Sequence, residues 1–290
     1  MQEKSANTAW GPVFQVAIEQ LQPINQRLFT DSYAIPLLPV KWKLFIYLLR
    51  ISFFRNIIVR LMDKKVPGAR AGVLCRKRYI DETIMKYVNT DIDSILILGS
   101  GFDTLAYRTP EISLKSIFEL DFPNNIAEKK YAIKRLKAQQ HKQVRFIPID
   151  FNTQEIEPLL IKSGYSFNHK TFVVLEGVTQ YITESSFQKL LSFLSKLKSG
   201  SMIILTYILK DFMDGKNLYD LGFMYNRVRI ESQIWKLGFY PDEIHSTLKD
   251  YDWSVIEDIC NNEYQERYIK PTGRKISAME IERAILAIKK

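Results

Sequence analysis

Ser94-Ile-Leu-Ile-Leu-Gly-Ser-Gly-Phe-Asp-Thr-Leu105 is the stretch whose reading decides the fold. A short run rich in Ile and Leu, preceded by polar residues and ended by glycine, reads as a buried parallel strand. Gly99 and Gly101 let the backbone turn tightly and approach a ligand with no Cβ in the way. Asp103 and Thr104 stand where a helix would begin, and either is a good N-cap. Strand, glycine turn and helix start together form a nucleotide-sized cradle at the carboxyl end of a sheet.

The cradle does not suit a pyrophosphate. A dinucleotide fingerprint places a third glycine three residues after Gly101, but that position is Thr104. The phosphate loop ending in Gly-Lys-Ser/Thr is also missing. What fits is a ligand with an adenosine part and no phosphates. Downstream, Lys115-Ser-Ile-Phe-Glu-Leu-Asp121 reads as a second apolar strand ending in an acid. Asp121 lies about 20 positions beyond the glycines, the spacing at which an acid accepts hydrogen bonds from ribose hydroxyls.

Strand and helix continue to alternate. Residues 144–149, 171–176 and 202–207 are apolar and β-rich, with helical stretches near 152–163 and 184–198 and a stop at Gly200. Residues 218–237 look helical, ended by Gly238. Residues 253–260 and 264–269 read as a final hairpin joined by Asn261-Asn262-Glu263. Right-handed crossovers would bring the strand-to-helix loops to one edge, so the glycine turn, Asp121, Asp150 and Glu176 should converge there.

The motifs "ARAGVLCRKRYID" (69–81), "ILGSGFDTLAYR" (97–108), "FELDFP" (118–123), "PIDF" (148–151) and "VVLEGVTQYIT" (173–183) occur in order at sensible spacings. In them the chain resembles the leucine carboxyl methyltransferase family, which includes protein phosphatase carboxyl methyltransferases and bacterial polyketide O-methyltransferases. Residues 1–60 and 210–290 match it loosely. The resemblance implies an α/β, Rossmann-like class I methyltransferase fold: a mostly parallel seven-stranded sheet with helices on both faces. Residues 1–68 would form an N-terminal helical cap or lid. Residues 69–290 would form the S-adenosylmethionine-binding domain, with an acceptor-site insertion around 208–250.

Residue by residue, the resemblance assigns Arg76 to the methionine carboxylate of S-adenosylmethionine, with Arg70 or Arg78 as substitutes if the register slips. It gives Gly99 and Gly101 the methionine and ribose portion, Asp121 the ribose hydroxyls, Asp150 and Phe151 the adenine, and Glu176 the ammonium. A guanidinium grips a carboxylate bidentately, and acidic side chains suit hydroxyl and ammonium donors. Where the family carries apolar residues after the glutamate-glycine pair, this chain has Val178-Thr179-Gln180-Tyr181-Ile182. Thr179 and Gln180 add hydrogen-bonding groups near the acceptor, and Tyr181 and Gln180 are the candidate catalytic residues. Trp42, Phe45, Phe212, Met213, Tyr219 and Met224 are candidates for an acceptor pocket or for ordinary core.

The implied reaction is methylation of an oxygen on a small molecule or a peptide terminus. A carboxylate is ionised at neutral pH and needs no base, whereas a phenol does. His141 and His169 precede strands and His245 follows a helix, so none is placed as a base, which favours a carboxylate. A phenolic or polyketide hydroxyl, or a non-catalytic methyltransferase-like binding role, are the alternatives.

The chain has 290 residues, 46% hydrophobic, with 12 glycines and 11 prolines, which suits one large α/β domain with additions. Cys75 and Cys260 form no Cys-x-x-Cys pair and have no ligand neighbours, so reduced thiols, a cytoplasmic setting and no metal are expected. Residues 41–65 are apolar but broken by Arg50, Arg55 and Arg60, too charged for a bilayer span. They read as a helix packed on the catalytic core, with a basic helix at a membrane surface as the alternative. The net charge is +9, and Lys129, Lys130, Lys134, Arg135, Lys137, Lys142 and Arg145 cluster on or near one helix. A solvated outer face explains them. Without an aromatic stacking pattern they do not indicate a nucleic-acid partner. Oligomeric state is not legible.

Overall fold

The computed structural model describes residues 9–136 and 144–290. The helices ahead of the sheet include α1 (Trp10–Glu19), α2 (Val40–Leu48), α3 (Ser52–Lys65) and α4 (Ala69–Tyr87), with a single short turn of helix at Ala34–Leu37. The sheet follows as β1 (Ser94–Leu98), β2 (Ser116–Asp121), β3 (Val144–Pro148), β4 (Thr171–Leu175), β5 (Met202–Ile208), β6 (Trp253–Ile259) and β7 (Glu282–Lys289). Among them lie α5 (Pro123–Arg135) after β2, α6 (Ile156–Lys162) after β3, α7 (Glu184–Leu194) after β4 and α8 (Pro241–Asp250) before β6.

The strand order is β3-β2-β1-β4-β5-β7-β6. Strands β1 to β5 are parallel, and β7 lies antiparallel between β5 and β6. The order reverses at β1, which pairs with β2 on one side and β4 on the other, so the crevice for a ligand opens at its carboxyl end. Both β1 and β4 are buried throughout, because helices cover both faces. One face of the sheet packs with α1 and α4 around Leu74, Ile95, Ile97 and Val174. The other packs around Leu96, Leu98, Phe118, Leu175 and Leu191. Successive residues of β1 therefore serve opposite cores, as a period of two requires.

Three expectations are corrected. Residues 264–269 are not a strand. Asn261–Tyr264 is helical and runs into a π-helical turn, Gln265–Ile269. The Glu263 carboxylate accepts the Cys260 N–H at 2.8 Å and starts that helix, and Tyr264 and Tyr268 stack one turn apart. The hairpin partner of β6 is instead β7, an apolar run at the end of the chain.

Residues 218–237 hold only a short helix, Gly222–Tyr225, and a π-helical turn, Asn226–Glu231. Tyr219, Asp220 and Gln233 take left-handed φ of 46°, 58° and 51°, which a continuous helix forbids. Arg229 fastens the segment by donating to the carbonyls of Met213 (3.0 Å) and Trp235 (2.7 Å).

Residues 41–65 form two helices rather than one. Only Ile46 of α2 and no residue of α3 is buried, although Ile58, Val59 and Met62 lean on the core. No helix among the described residues is long and apolar enough to cross a membrane.

Candidate functional site

A cavity of about 320 Å³ opens at the carboxyl end of the parallel strands, within the usual range of small-ligand sites. The turn after β1 forms its floor. Gly99 N and Ser100 N both donate to Leu120 O, at 2.7 and 3.0 Å, which ties the turn to β2. Gly99 has φ +73°, and a Cβ there would lie 2.2 Å from Val178 Cγ2, so no side chain fits. Gly101, at φ +44°, presents open backbone to the cavity.

Asp121 closes this floor. Its Oδ2 accepts the Gly101 N–H at 2.6 Å, and its Oδ1 accepts from Phe122 N at 2.6 Å and Asn125 Nδ2 at 2.7 Å. Burial pushes the Asp121 carboxyl above the ordinary aspartate value, partly offset by these donors. From the end of β3, Phe151 and Asn152 reach the cavity wall. Asp150 lies buried behind them, its Oδ1 accepting the Asn152 N–H at 3.0 Å.

A buried charge network makes up another wall. Helix α4 supplies Arg76 and Lys77 side by side. Arg76 Nε donates to Glu176 Oε1 at 2.8 Å, and its NH1 donates to Glu282 of β7. Lys77 Nζ bonds Glu176 Oε2 at 3.1 Å and also Asp103. Asp103 in turn accepts Arg108 NH1 at 2.8 Å and the Leu105 N–H at 2.7 Å, and so fixes the short helix Leu105–Arg108. Arg108 then reaches Asp81 on α4 at 2.7 Å.

Burial alone would neutralise these acids. For Glu176, the Lys77 ammonium and Arg76 guanidinium outweigh burial and hold the carboxyl below the ordinary glutamate value. For Asp103, Arg108 and Lys77 outweigh burial and hold it well below the aspartate range. For Glu282, burial wins over Arg76 and the carboxyl is raised. Of the substitutes for Arg76, Arg70 pairs with Asp63 and Glu19, and Arg78 with Glu82 on the surface. Only Arg76 of the three lines the cavity.

After Gly177 comes a 3₁₀ turn, Thr179–Tyr181, which aims Gln180 and Tyr181 at the cavity. Thr179 turns the other way and donates its hydroxyl to Thr206 O at 2.8 Å, so it adds nothing to the site. Gln180 Oε1 and Trp235 Nε1 are both buried with no hydrogen-bond partner. Trp235 stands edge-on to Tyr181, and both residues line the cavity with Met224. The other pocket candidates do not line it. Phe212 and Met213 are core, Phe45 and Trp42 pack around Phe14, and the Tyr219 hydroxyl donates to Asp211.

Among the described residues no histidine lines the cavity. His169 Nδ1 meets Ser94 Oγ at 2.8 Å at the opposite edge of the sheet, and His245 Nε2 meets Asp258 at 2.8 Å. His141, Lys137 and Lys142 lie outside the described residues. The basic face of α5 is as expected except for Lys129, which is fully buried against the buried Glu119 of β2.

The strand order with its antiparallel seventh strand, the glycine turn and the acid at the end of β2 together describe the class I methyltransferase sheet. A family model described as leucine carboxyl methyltransferase matches residues 9–195. The chain belongs to the leucine carboxyl methyltransferase family. The match begins on α1, well ahead of the motifs, so the first helices are also part of the family pattern.

Relatives of this leucine carboxyl methyltransferase family member include a Bacillus subtilis (strain 168) protein named "Putative S-adenosyl-L-methionine-dependent methyltransferase YktD". It is 27% identical over 221 residues, covering 75% of this chain and 72% of that protein. A similarly named Mycobacterium avium (strain 104) protein is 26% identical over 210 residues, 69% of this chain and 68% of its own. Among solved structures, a DUF574 family protein from Streptomyces avermitilis aligns with a TM-score of 0.55 at 10% identity, covering 80% of this chain and 88% of that one. Magnesium protoporphyrin IX methyltransferase from Synechocystis PCC 6803, solved with bound SAH, aligns with a TM-score of 0.50 at 12% identity, covering 84% and 99%. At such identities the shared property is the fold.

Sequence motifs thus located most of the family member's cavity wall. They missed Lys77, Glu282 and Trp235, and read Asp103 only as a helix start. Lys77 lies inside the 69–81 motif, next to Arg76, but its spacing carries no role of its own. Glu282 and Trp235 lie in segments that the motifs do not reach.

Proposed function

We propose that the protein transfers a methyl group from S-adenosylmethionine to an oxygen, and that this oxygen belongs to a carboxylate of a small molecule or a peptide terminus. Methyl transfer from S-adenosylmethionine follows from membership of the family. The acceptor rests on one observation. The cavity wall around Tyr181 offers the buried Trp235 Nε1–H, a donor without a partner among the described residues, yet no described histidine. The wall's carboxylates, Asp31, Asp103, Asp121, Glu176 and Glu282, are each held by donors of the chain itself. A site with an indole donor and no histidine base suits an acceptor that arrives already ionised, as a carboxylate does and a phenol, of pKa about 10, does not.

The residues present fit the cofactor. Gly101 leaves room over the turn, and Asp121 stands where ribose hydroxyls need an acceptor. Arg76 and Glu176 offer a cation and an anion for the carboxylate and ammonium of an amino acid. Phe151, with Asp150 behind it, suits an adenine. Bound there, S-adenosylmethionine supplies an electrophilic methyl on sulfur, and the S–C bonding pair stays with the sulfur as the new C–O bond forms. Trp235 donates its N–H toward an acceptor oxygen, Gln180 and Tyr181 shape the wall beside it, and Met224 and Val178 keep water away. Positioning of this kind is worth about 7–11 kcal/mol in favourable cases.

The test offers methyl-labelled S-adenosylmethionine with panels of carboxylic acids and phenols. Label is expected in the acids, in a form released by mild alkali as an ester must be. Trp235→Phe should raise the KM for the acid about tenfold or more. Alkali-stable label from phenols alone would replace this reading with hydroxyl methylation. Failure to bind the cofactor would leave a non-catalytic binding protein.

A further inference from the structure

Helices α2 and α3 carry an apolar surface that the methyl-transfer site does not use. Twenty large hydrophobic side chains are exposed among the described residues, and ten of them fall between Val40 and Leu61. Leu44 and Phe53 are each 65% exposed, Leu61 59% and Ile51 54%. On α3 the outward residues Phe53, Phe54, Ile57 and Leu61 fall at i, i+1, i+4 and i+8, one continuous stripe at helical spacing. Ile58, Val59 and Met62 occupy the opposite side and rest on the core. The helix is thus apolar on two faces, and only one of them is covered.

Charge says what covers the other. Residues 40–65 hold seven basic side chains, Lys41, Lys43, Arg50, Arg55, Arg60, Lys64 and Lys65, against one acid, Asp63. Asp63 is itself bonded to Arg70 at 2.9 Å. Arg60 and Lys64 border the stripe on α3, and Arg50 stacks over exposed Tyr47 between the two helices. The exposed Trp42 and Tyr47 are side chains of the kind that collect at a bilayer interface. Apolar side chains fringed by cations, on helices too short and too charged to span, match an anionic phospholipid surface. A protein partner would have to be both strongly acidic and apolar.

We infer that α2 and α3 dock the protein peripherally on anionic membranes, with the α3 stripe among the acyl chains and the arginines and lysines at the phosphates. The docked face reaches the edge of the cavity. Lys65 lies over exposed Phe223 at 4.4 Å, and its neighbour Met224 lines the cavity.

The experiment uses the full chain with vesicles of phosphatidylglycerol and phosphatidylcholine in equal parts, and of phosphatidylcholine alone. Flotation should recover at least tenfold more protein on the anionic vesicles, and raising the salt to about 0.5 M should cut this binding by shortening the screening length. The triple substitution Leu44→Gln, Phe53→Gln, Leu61→Gln and the pair Arg50→Glu, Arg60→Glu should each lower binding at least tenfold. All five side chains are exposed, and thermal melts will confirm that the variants fold. Independently of the variants, Trp42 emission should shift to the blue on anionic vesicles only, and Trp42→Phe should abolish the shift. Three results would overturn the proposal: no enrichment on either vesicle, binding that the substitutions leave unchanged, or a dimer in sedimentation that the triple variant dissolves, which would make the face an interface between copies.

Discussion

Asp121 shows how a cavity-lining acid is held by its own backbone. Two main-chain N–H groups and the Asn125 amide hold its carboxylate while burial opposes its charge. The group therefore stands rigid and partly desolvated, a state in which a hydrogen bond to an ionised acceptor is worth about 1.5–3 kcal/mol. Asp121→Ala should weaken binding of S-adenosylmethionine roughly tenfold to a hundredfold. Calorimetric titration checks this, and unchanged affinity would remove Asp121 from the cofactor site. At this scale the sequence was readable wherever spacing or a motif brought a residue to the cavity: Asp121 from its distance to the glycines, Arg76 and Glu176 from their motifs. It was silent on Glu282, which meets Arg76 across 206 positions through a strand without any motif. It also misread Lys129, because a single buried cation on an otherwise basic helix face leaves no periodic trace.

Elements were legible where one rule governed them. The five parallel strands were: burial on both faces writes near-continuous apolar runs in β1, β2, β4 and β5, while the edge strand β3 is only partly buried. After β5 the strand at 253–260 was legible as β6, but residues 218–237 and 264–269 were not, because tertiary contacts override local pattern there. Residues 264–269 look β-rich by composition, yet Glu263 caps a helix, and Arg229 folds 226–235 back by binding two carbonyls. The junction of β1 with its turn gives an element-scale prediction. Gly99→Ala would bring a Cβ against Val178 at a backbone φ of +73°, and should destabilise the fold by about 1–3 kcal/mol. Adding Val178→Ala should recover the steric part and leave the backbone part. Denaturant melts of the three proteins would separate the two, and full stability of the single variant would refute the geometry.

Across the whole molecule, the charge network ties α4, the β1 turn, the end of β4 and β7 into one unit, and its acid response should be visible. Asp103 is held well below the ordinary aspartate value by Arg108 and Lys77, which outweigh its burial. A depressed carboxyl contributes stability that is complete above its unfolded value, about 3.9, and that falls as the pH drops below it. Wild type should therefore melt well above Asp103→Asn at pH 7, and the gap should close progressively below about pH 4. A gap that stays constant down to pH 2.5 would show that the Asp103 charge does not contribute.

The couple formed by Arg76 and Glu176 has a consequence for turnover. Each side chain already holds an opposite charge, Arg76 that of Glu176 and Glu282 and Glu176 that of Arg76 and Lys77. On the assignment proposed above, a zwitterionic guest would have to displace these contacts to enter. Its affinity would then register the difference between two sets of ion pairs rather than the sum of one.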